Sequence, residues 1–173
     1  MVARPAALAD CEVISRIYNQ GIEDRVATFE TEPRSAGDIQ AWLDGVHPVV
    51  VVEDAGEVIA FASSRPYSAR ECYRGIADVS VYVARSARGR GAGRLALAAL
   101  IEAAGKAGYW KLLSRIFVEN ATSRALCRSL GFREVGIYEK HGRLDGEWRD
   151  CVIVERLILA NLGRGPETIS AGQ

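Results

Sequence analysis

The sequence predicts an α+β domain. Three observations carry that expectation. Strand patterns come in two hairpin pairs, one near residue 50 and one at the carboxyl end, and hairpins are antiparallel. Helical periodicity recurs in four separate stretches before and between the strands. No repeat or low-complexity linker divides the chain, whose 173 residues suit one domain able to bury a proper core.

Taken in order, Ala9 to Gln20 places Val13, Ile14, Ile17 and Tyr18 on one helical face. The stretch "TEPRS" breaks that helix. Ser35, with Asp38 three residues on, resembles a capped start for a second helix over Gly37 to Asp44, carrying Ile39, Trp42 and Leu43. "HPVVVVEDAGEVIAFASS" reads as two strands turning around Asp54, Ala55 and Gly56. Gly75 to Ala84 is a further strand, and Leu95 to Lys106 a helix that stops at Gly108. "KLLSRIFVE" follows as a strand. "NATSRALCRSLGF" is a short helix with Asn120 placed to cap it and Gly131 to end it. "REVGIYEKHG" and "RDCVIVERLIL" form the last strand pair, joined across "RLDGEW". The expected domain spans residues 1–162, and the Gly/Pro/Ser-rich residues 163–173 are expected to be a flexible tail.

Composition narrows the function classes. Lysine plus arginine equals aspartate plus glutamate at 22 each, so no global field draws the chain to nucleic acid or acidic membranes. No apolar run is long enough to span a bilayer, and the amino terminus lacks a secretory pattern, so a cytoplasmic protein is expected. Four scattered cysteines and two histidines offer no metal-ligand spacing. Cys11, Cys72 and Cys151 read as small apolar residues.

The stretch with most chemical content is "VARSARGRGAG", Val83 to Gly93, between a strand and a helix. It carries three arginines and three glycines, a positive and flexible backbone, and the physical use of such a loop is to hold an anion. A Walker phosphate loop is excluded, because the loop has no lysine. A dinucleotide fingerprint through Gly91, Gly93 and Ala96, with Glu119 as the ribose acid, fits the spacing. Against it, six residues from Arg85 to Arg90 intervene between strand and first glycine, and an antiparallel hairpin comes first. The third reading is an anion nest of backbone N–H groups at a helix amino terminus. Its flanking arginines suit a pyrophosphate with a further phosphate, as in coenzyme A. A plain solvated basic turn is the bland alternative.

Arg88-x-x-Gly91-x-Gly93, after "SVYVA" and before an amphipathic helix, resembles the acetyl-CoA motif of the GNAT acetyltransferases. "IYNQGIEDRVATFETEP", "NATSRALCRSLGF" and "GEWRD" are similar to the phosphinothricin acetyltransferase branch, and "HGRLDGEWRDCVIVERL" to members that acetylate arsinothricin. The resemblance covers roughly Arg4 to Leu159. It implies a GNAT fold with six or seven strands in a mixed, mostly antiparallel sheet flanked by about four helices. It also implies a homodimer, acetyl-CoA as co-substrate, no metal, and transfer of acetyl to the α-amine of a glutamate-like amino acid through a tetrahedral intermediate.

The resemblance assigns Val81 and Val83 to main-chain hydrogen bonds with the pantetheine arm, a form of strand addition. Arg88, Gly89, Arg90, Gly91, Ala92, Gly93 and Arg94 would hold the pyrophosphate by backbone N–H groups. Asn120 and Ser123 would reach the cofactor; helix capping is their alternative role. Asp78 stands where relatives carry glutamate as the base, and being shorter would work through a water. Cys127 stands where relatives carry the general acid, or it packs beside the cofactor sulfur. A main-chain N–H near Val81 would hold the oxyanion. Arg70 and Tyr73 match the residues that grip the amino acid; an arginine holds a carboxylate in a two-pronged fork. Glu71 would attract the ammonium or simply sit on an exposed loop. Phe29 would line the pocket, and "KHGRLDGEW" would close over the second acid with His141 or Arg143. Two other readings use the same loop: an acetyltransferase for protein amino termini or another amine, and a non-catalytic acyl-CoA sensor.

Overall fold

The computed structural model describes residues 1–163. Its elements are β1 (Val2–Pro5), α1 (Cys11–Glu23), α2 (Ala36–Gln40), β2 (Val49–Asp54), β3 (Glu57–Pro66), β4 (Ile76–Val83), α3 (Ala92–Lys106), β5 (Lys111–Phe117), α4 (Ala121–Ser129), β6 (Arg133–Leu144) and β7 (Glu147–Leu157). The strands form one sheet in the order β1-β2-β3-β4-β5-β7-β6. Every neighbouring pair is antiparallel except β4 and β5.

Helices cover both faces of the sheet, which explains the unbroken run "VVVV" in β2. Val50 and Val52 meet Leu97, Leu100 and Ala104 of α3, while Val49 and Val51 meet Ile14, Ile17 and Ile39 of α1 and α2. A strand buried on both sides shows no alternation of apolar and polar residues.

The parallel pair is short. Ile76, Ala77 and Asp78 align with Lys111, Leu112 and Leu113, and the ladder ends there. Beyond that point β4 stays with β3 as far as Val83, and β5 stays with β7 as far as Phe117. The two strands therefore part and leave a fork. The Ala84 N–H donates to the Ile59 carbonyl at 2.8 Å, so alternate residues Tyr82 and Ser80 also direct their main-chain groups to β3. Val81 and Val83 direct theirs the other way, into the fork.

Several boundaries differ from the sequence reading. Strand β1 was not expected: it has four residues, one of them Pro5, which a sheet tolerates at its outer edge. The first helix is displaced to Cys11–Glu23, because Leu8–Asp10 form a tighter turn ahead of it. Helix α2 ends at Gln40 rather than Asp44; the Asp44 carboxylate accepts from the Val46 and His47 N–H groups and holds a turn there instead. Helix α3 begins at Ala92, so Gly93 lies within its first turn. The last hairpin is tighter than expected: "RLDGEW" is mostly strand, with Asp145 and Gly146 at positive φ as the two-residue turn. The tail expectation, apart from Gly163, lies outside the described residues.

One glycine of α1 sets how closely that helix meets the sheet. A Cβ at Gly21 would lie 2.7 Å from the Tyr82 ring, which is stacked on Phe61 and met edge-on by Tyr18. A ring held on both sides cannot swing clear. Overpacking costs about 1–3 kcal/mol, against a helix-propensity gain of about 1 kcal/mol. Gly21→Ala is expected to lower the urea midpoint, with an unchanged slope.

Candidate active site

Three strands each place one charged residue on the α1 side of the sheet, beside the fork. Arg65 of β3 lies directly across from Asp78 of β4, and Asp78 aligns with Leu113 of β5, two residues before Arg115. Asp78 accepts a hydrogen bond from the Arg115 guanidinium. Arg65 rests its guanidinium over the Trp42 ring, 3.9 Å from the centroid. Tyr18, Ser80, Tyr82 and Ser114 complete a cavity of about 250 Å³ around Asp78 and the two arginines. Burial raises the Asp78 carboxyl above the ordinary aspartate range, and the charges of Arg115 and Arg65 hold part of that rise back. A half-buried carboxylate with a raised pKa is the form a proton acceptor takes.

The fork itself is a narrow gap of about 60 Å³ lined from both faces of the sheet. Val81, Leu97 and Cys127 bound it on the α3 side; Ser80, Tyr82 and Arg115 bound it towards the larger cavity. Asn120 and Ser123 border it too. The Asn120 carbonyl accepts from the Ser123 N–H at 3.1 Å and its amide donates to the Val26 carbonyl at 3.0 Å. Asn120 therefore caps α4 and lines the gap at once. Burial alone pushes the Cys127 thiol up to about 11. A leaving thiol has a pKa of about 8.5, so proton return from Cys127 would run uphill. Packing is the role its surroundings favour.

Below the gap lies the glycine loop. Gly89 and Gly91 have φ of +75° and +88°, with open space where a side chain would stand. That leaves the first N–H groups of α3, on Ala92, Gly93 and Arg94, without intrahelical partners at an open helix end. Gly93 serves packing instead: a Cβ there would come within 3.1 Å of Val83, so glycine lets α3 close on β4. The arginine side chains are mostly engaged elsewhere. Arg88 pairs with Asp24 at 2.6 Å, Arg85 with Asp24 and Glu23 at 2.7 and 2.8 Å, and Arg90 with Asp54 at 2.5 Å. The loop is thus fastened to the end of α1 and to the first hairpin, and its backbone is what faces outward. This fit suits a pyrophosphate held by main-chain N–H groups.

The residues expected to grip the substrate separate into two sets. Phe29 lines a third cavity, about 330 Å³, with Thr28, Glu30, Arg115, Phe117 and His141. Its ring meets Phe117 edge-on at 4.8 Å, and glycine at 142 lets the last hairpin pass over it, since a Cβ there would lie 2.7 Å away. Arg143 is not in that wall; it donates to the Gly146 carbonyl and lies over Trp148. Arg70, Glu71 and Tyr73 stand on the loop between β3 and β4 and line none of these three cavities. Arg70 leans towards the Tyr73 ring and Glu71 pairs with Arg74. Arg65 and Arg115 were missed in the sequence. The strand period would have exposed them, because Arg115 interrupts "LLSRIF" on the face opposite Leu112 and Ile116.

Asp24 links two loop arginines, and its side chain is only 20% exposed. Asp24→Asn is expected to speed amide hydrogen exchange across residues 88–91 several-fold and to cost about 1 kcal/mol of stability.

Comparison with known proteins agrees with this geometry. Residues 14–132 match the acetyltransferase (GNAT) family. The L-methionine sulfoximine/L-methionine sulfone acetyltransferase of Pseudomonas paraeruginosa is 35% identical over 157 residues, covering 88% of this chain and 91% of that protein. The structure of a ribosomal-protein-alanine N-acetyltransferase from Brucella melitensis superposes with a TM-score of 0.87 at 34% identity, over 91% of this chain and all of that one. A phosphinothricin acetyltransferase from Sinorhizobium meliloti, solved with acetyl-CoA, superposes at 0.84 and 29% identity, over 90% and 87% of the two chains. With a splayed β4–β5 pair, an open glycine loop at the start of α3 and this family match over most of its length, the chain belongs to the GNAT family of acetyltransferases.

Proposed function

We propose that the protein acetylates the α-amine of small acidic amino acids that mimic glutamate, such as phosphinothricin, arsinothricin and methionine sulfoximine or sulfone, and so detoxifies them. The observation that carries this reading is the cavity beside the fork, where two arginines face one aspartate. Such an enclosure suits a small acceptor with acid groups. Acetyl-CoA supplies the activated acetyl thioester. The chain holds it by the Val81 and Val83 main chain along the pantetheine arm, and by the backbone from Arg88 to Arg94 at the pyrophosphate. Asn120 and Ser123 line the same groove.

Asp78 takes one proton from the acceptor ammonium, directly or through a water. The nitrogen lone pair then attacks the thioester carbonyl carbon to form the N–C bond, giving a tetrahedral oxyanion held by a main-chain N–H near Val81, and its collapse breaks the C–S bond. The amine's second proton leaves with the thiol. Cys127 packs beside the reacting sulfur. Phe29 and His141 wall the acceptor's far end. Arg70, Glu71 and Tyr73 stand outside that wall, on the loop after β3, and meet only an acceptor that extends past Pro66 at the cavity edge. Val135, Ile137, Tyr138 and Trp148 are exposed on the last hairpin, and these apolar side chains suit a second copy in a homodimer.

The Brucella likeness favours one rival, acetylation of protein amino termini, which needs room for a peptide beyond the first residue. Thiol release from acetyl-CoA separates the two. The amino-acid analogues are expected to turn over and a short alanine-led peptide is not; peptide turnover with inert amino acids would overturn the proposal, and acetyl-CoA binding without any turnover would leave a sensor in its place. Arg70→Ala, outside the three cavities, is expected to lower kcat/KM by less than about tenfold.

The raised Asp78 carboxyl gives a pH dependence of definite sign. The base is active only when ionised, so kcat/KM falls as pH drops through its elevated pKa. Asp78→Asn is expected to remove that limb and cost about 10²–10⁴-fold. Cys127→Ala, by contrast, is expected to stay within about tenfold of the parent, whereas a general acid would lose as much as the base does.

A further inference from the structure

Arg115 is the one side chain that lines all three cavities described above: the fork, the Asp78 cavity and the Phe29 cavity. It stands where the cofactor groove meets both halves of the acceptor space. Its ion-pair partner among the described residues is Asp78. Arg65, across the strand pair from Asp78, has no ion pair among the described residues and is steadied by Trp42. The nearby Glu30 is bound to Arg34 at 2.7 Å. The cavity therefore carries two guanidinium groups against one carboxylate, and is short of one negative charge.

That shortage has a chemical consequence at Asp78. A carboxylate hydrogen-bonded to an arginine is a weakened base, because its lone pairs and charge are already engaged. An acceptor amino acid brings a carboxylate of its own, separated from its α-amine by a single carbon. If that carboxylate takes the guanidinium fork, the amine is delivered beside the displaced Asp78.

We propose that Arg115 binds the α-carboxylate of the acceptor and, by exchanging Asp78 for it, frees Asp78 to deprotonate the adjacent α-amine. This inference rests on the proposed function and deepens it: one guanidinium selects the substrate and arms the base. Arg65 supplies the second positive charge that keeps Asp78 ionised once Arg115 has let it go. An amine without the neighbouring carboxylate leaves Asp78 engaged and is turned over poorly. The residues facing Asp78 from the packed elements are Tyr18 of α1, Arg65 of β3, Ser80 and Tyr82 of β4, and Ser114 and Arg115 of β5. Among these, Arg115 alone bonds it.

The test compares methionine sulfone with its α-carboxamide, which keeps the amine and loses the charge. Thiol release from acetyl-CoA is followed for the parent enzyme, Arg115→Gln and Arg115→Lys, with acetyl-CoA affinity measured by calorimetry as a check on folding. The parent is expected to favour the acid over the amide by about 100-fold or more. In Arg115→Gln that preference should collapse to within a few-fold, through loss on the acid and a gain on the amide, because Asp78 is no longer held by the guanidinium. Arg115→Lys should fall between, with a raised KM for the acid, since lysine keeps the charge without the fork. Arg115→Gln or Arg115→Lys retaining the full preference, or losing acid and amide in equal measure, would overturn this inference alone. A parent enzyme inert on every amino acid would overturn the proposed function and this inference with it.

Discussion

The place where β4 and β5 stop pairing governs the rest of the molecule. Three aligned residues on each strand hold the two halves of the sheet together, and past Asp78 and Leu113 they diverge. Everything chemical is arranged around that divergence. The main chain of Val81 and Val83 is left facing a gap, Cys127 reaches it from one face, and Asp78 with Arg115 stands at its root on the other. Had the ladder continued for four more residues, the gap would be filled by ordinary sheet hydrogen bonds. A groove for an extended amide chain is thus obtained by leaving a sheet unfinished.

Charge is distributed with similar logic. The glycine loop looks strongly cationic in the sequence, yet Arg85, Arg88 and Arg90 are committed to carboxylates on α1 and the β2–β3 hairpin. Those ion pairs brace a loop whose positive-φ glycines would otherwise leave it loose. Within the cavity beside the fork the balance runs the other way, with Arg65 and Arg115 outnumbering Asp78. Charge is neutralised along the glycine loop and left uncompensated in the cavity that the proposed acceptor would enter.

Much of this was legible in the sequence, for physical reasons that differ by element. The strands of the first hairpin, α3 and the glycine loop carry strong local signals: β-branched runs, helical periodicity and glycines flanked by arginine. The capping box at Ser35 and Asp38 forms as its spacing indicates. Strand β1 escaped notice because four residues ending in proline have no period to detect, and its partner β2 lies far along the chain. The site was legible only in part. Asp78 and Phe29, named by resemblance, do line cavities beside the fork, but Arg65 and Arg115 join Asp78 through a juxtaposition of three strands that no local window contains. Arg70 and Tyr73, matched by sequence, stand on a loop outside the cavity walls, because motif spacing fixes position along the chain and not the direction of a side chain.

The unfinished pair also bears on how the molecule avoids its own kind. Unpaired strand backbone on an outer margin invites other chains to add on, and proteins blunt such margins with charge, proline or short strands. Here the outermost strand on one side is the short, proline-ended β1. The open stretch of β4, by contrast, faces inward across the fork towards β5, with α3 over one side and α1 over the other. A narrow extended molecule can thread it; a second folded sheet cannot approach. The fork gives the chain a sticky edge that discriminates by width, admitting a slender cosubstrate while remaining closed to aggregation.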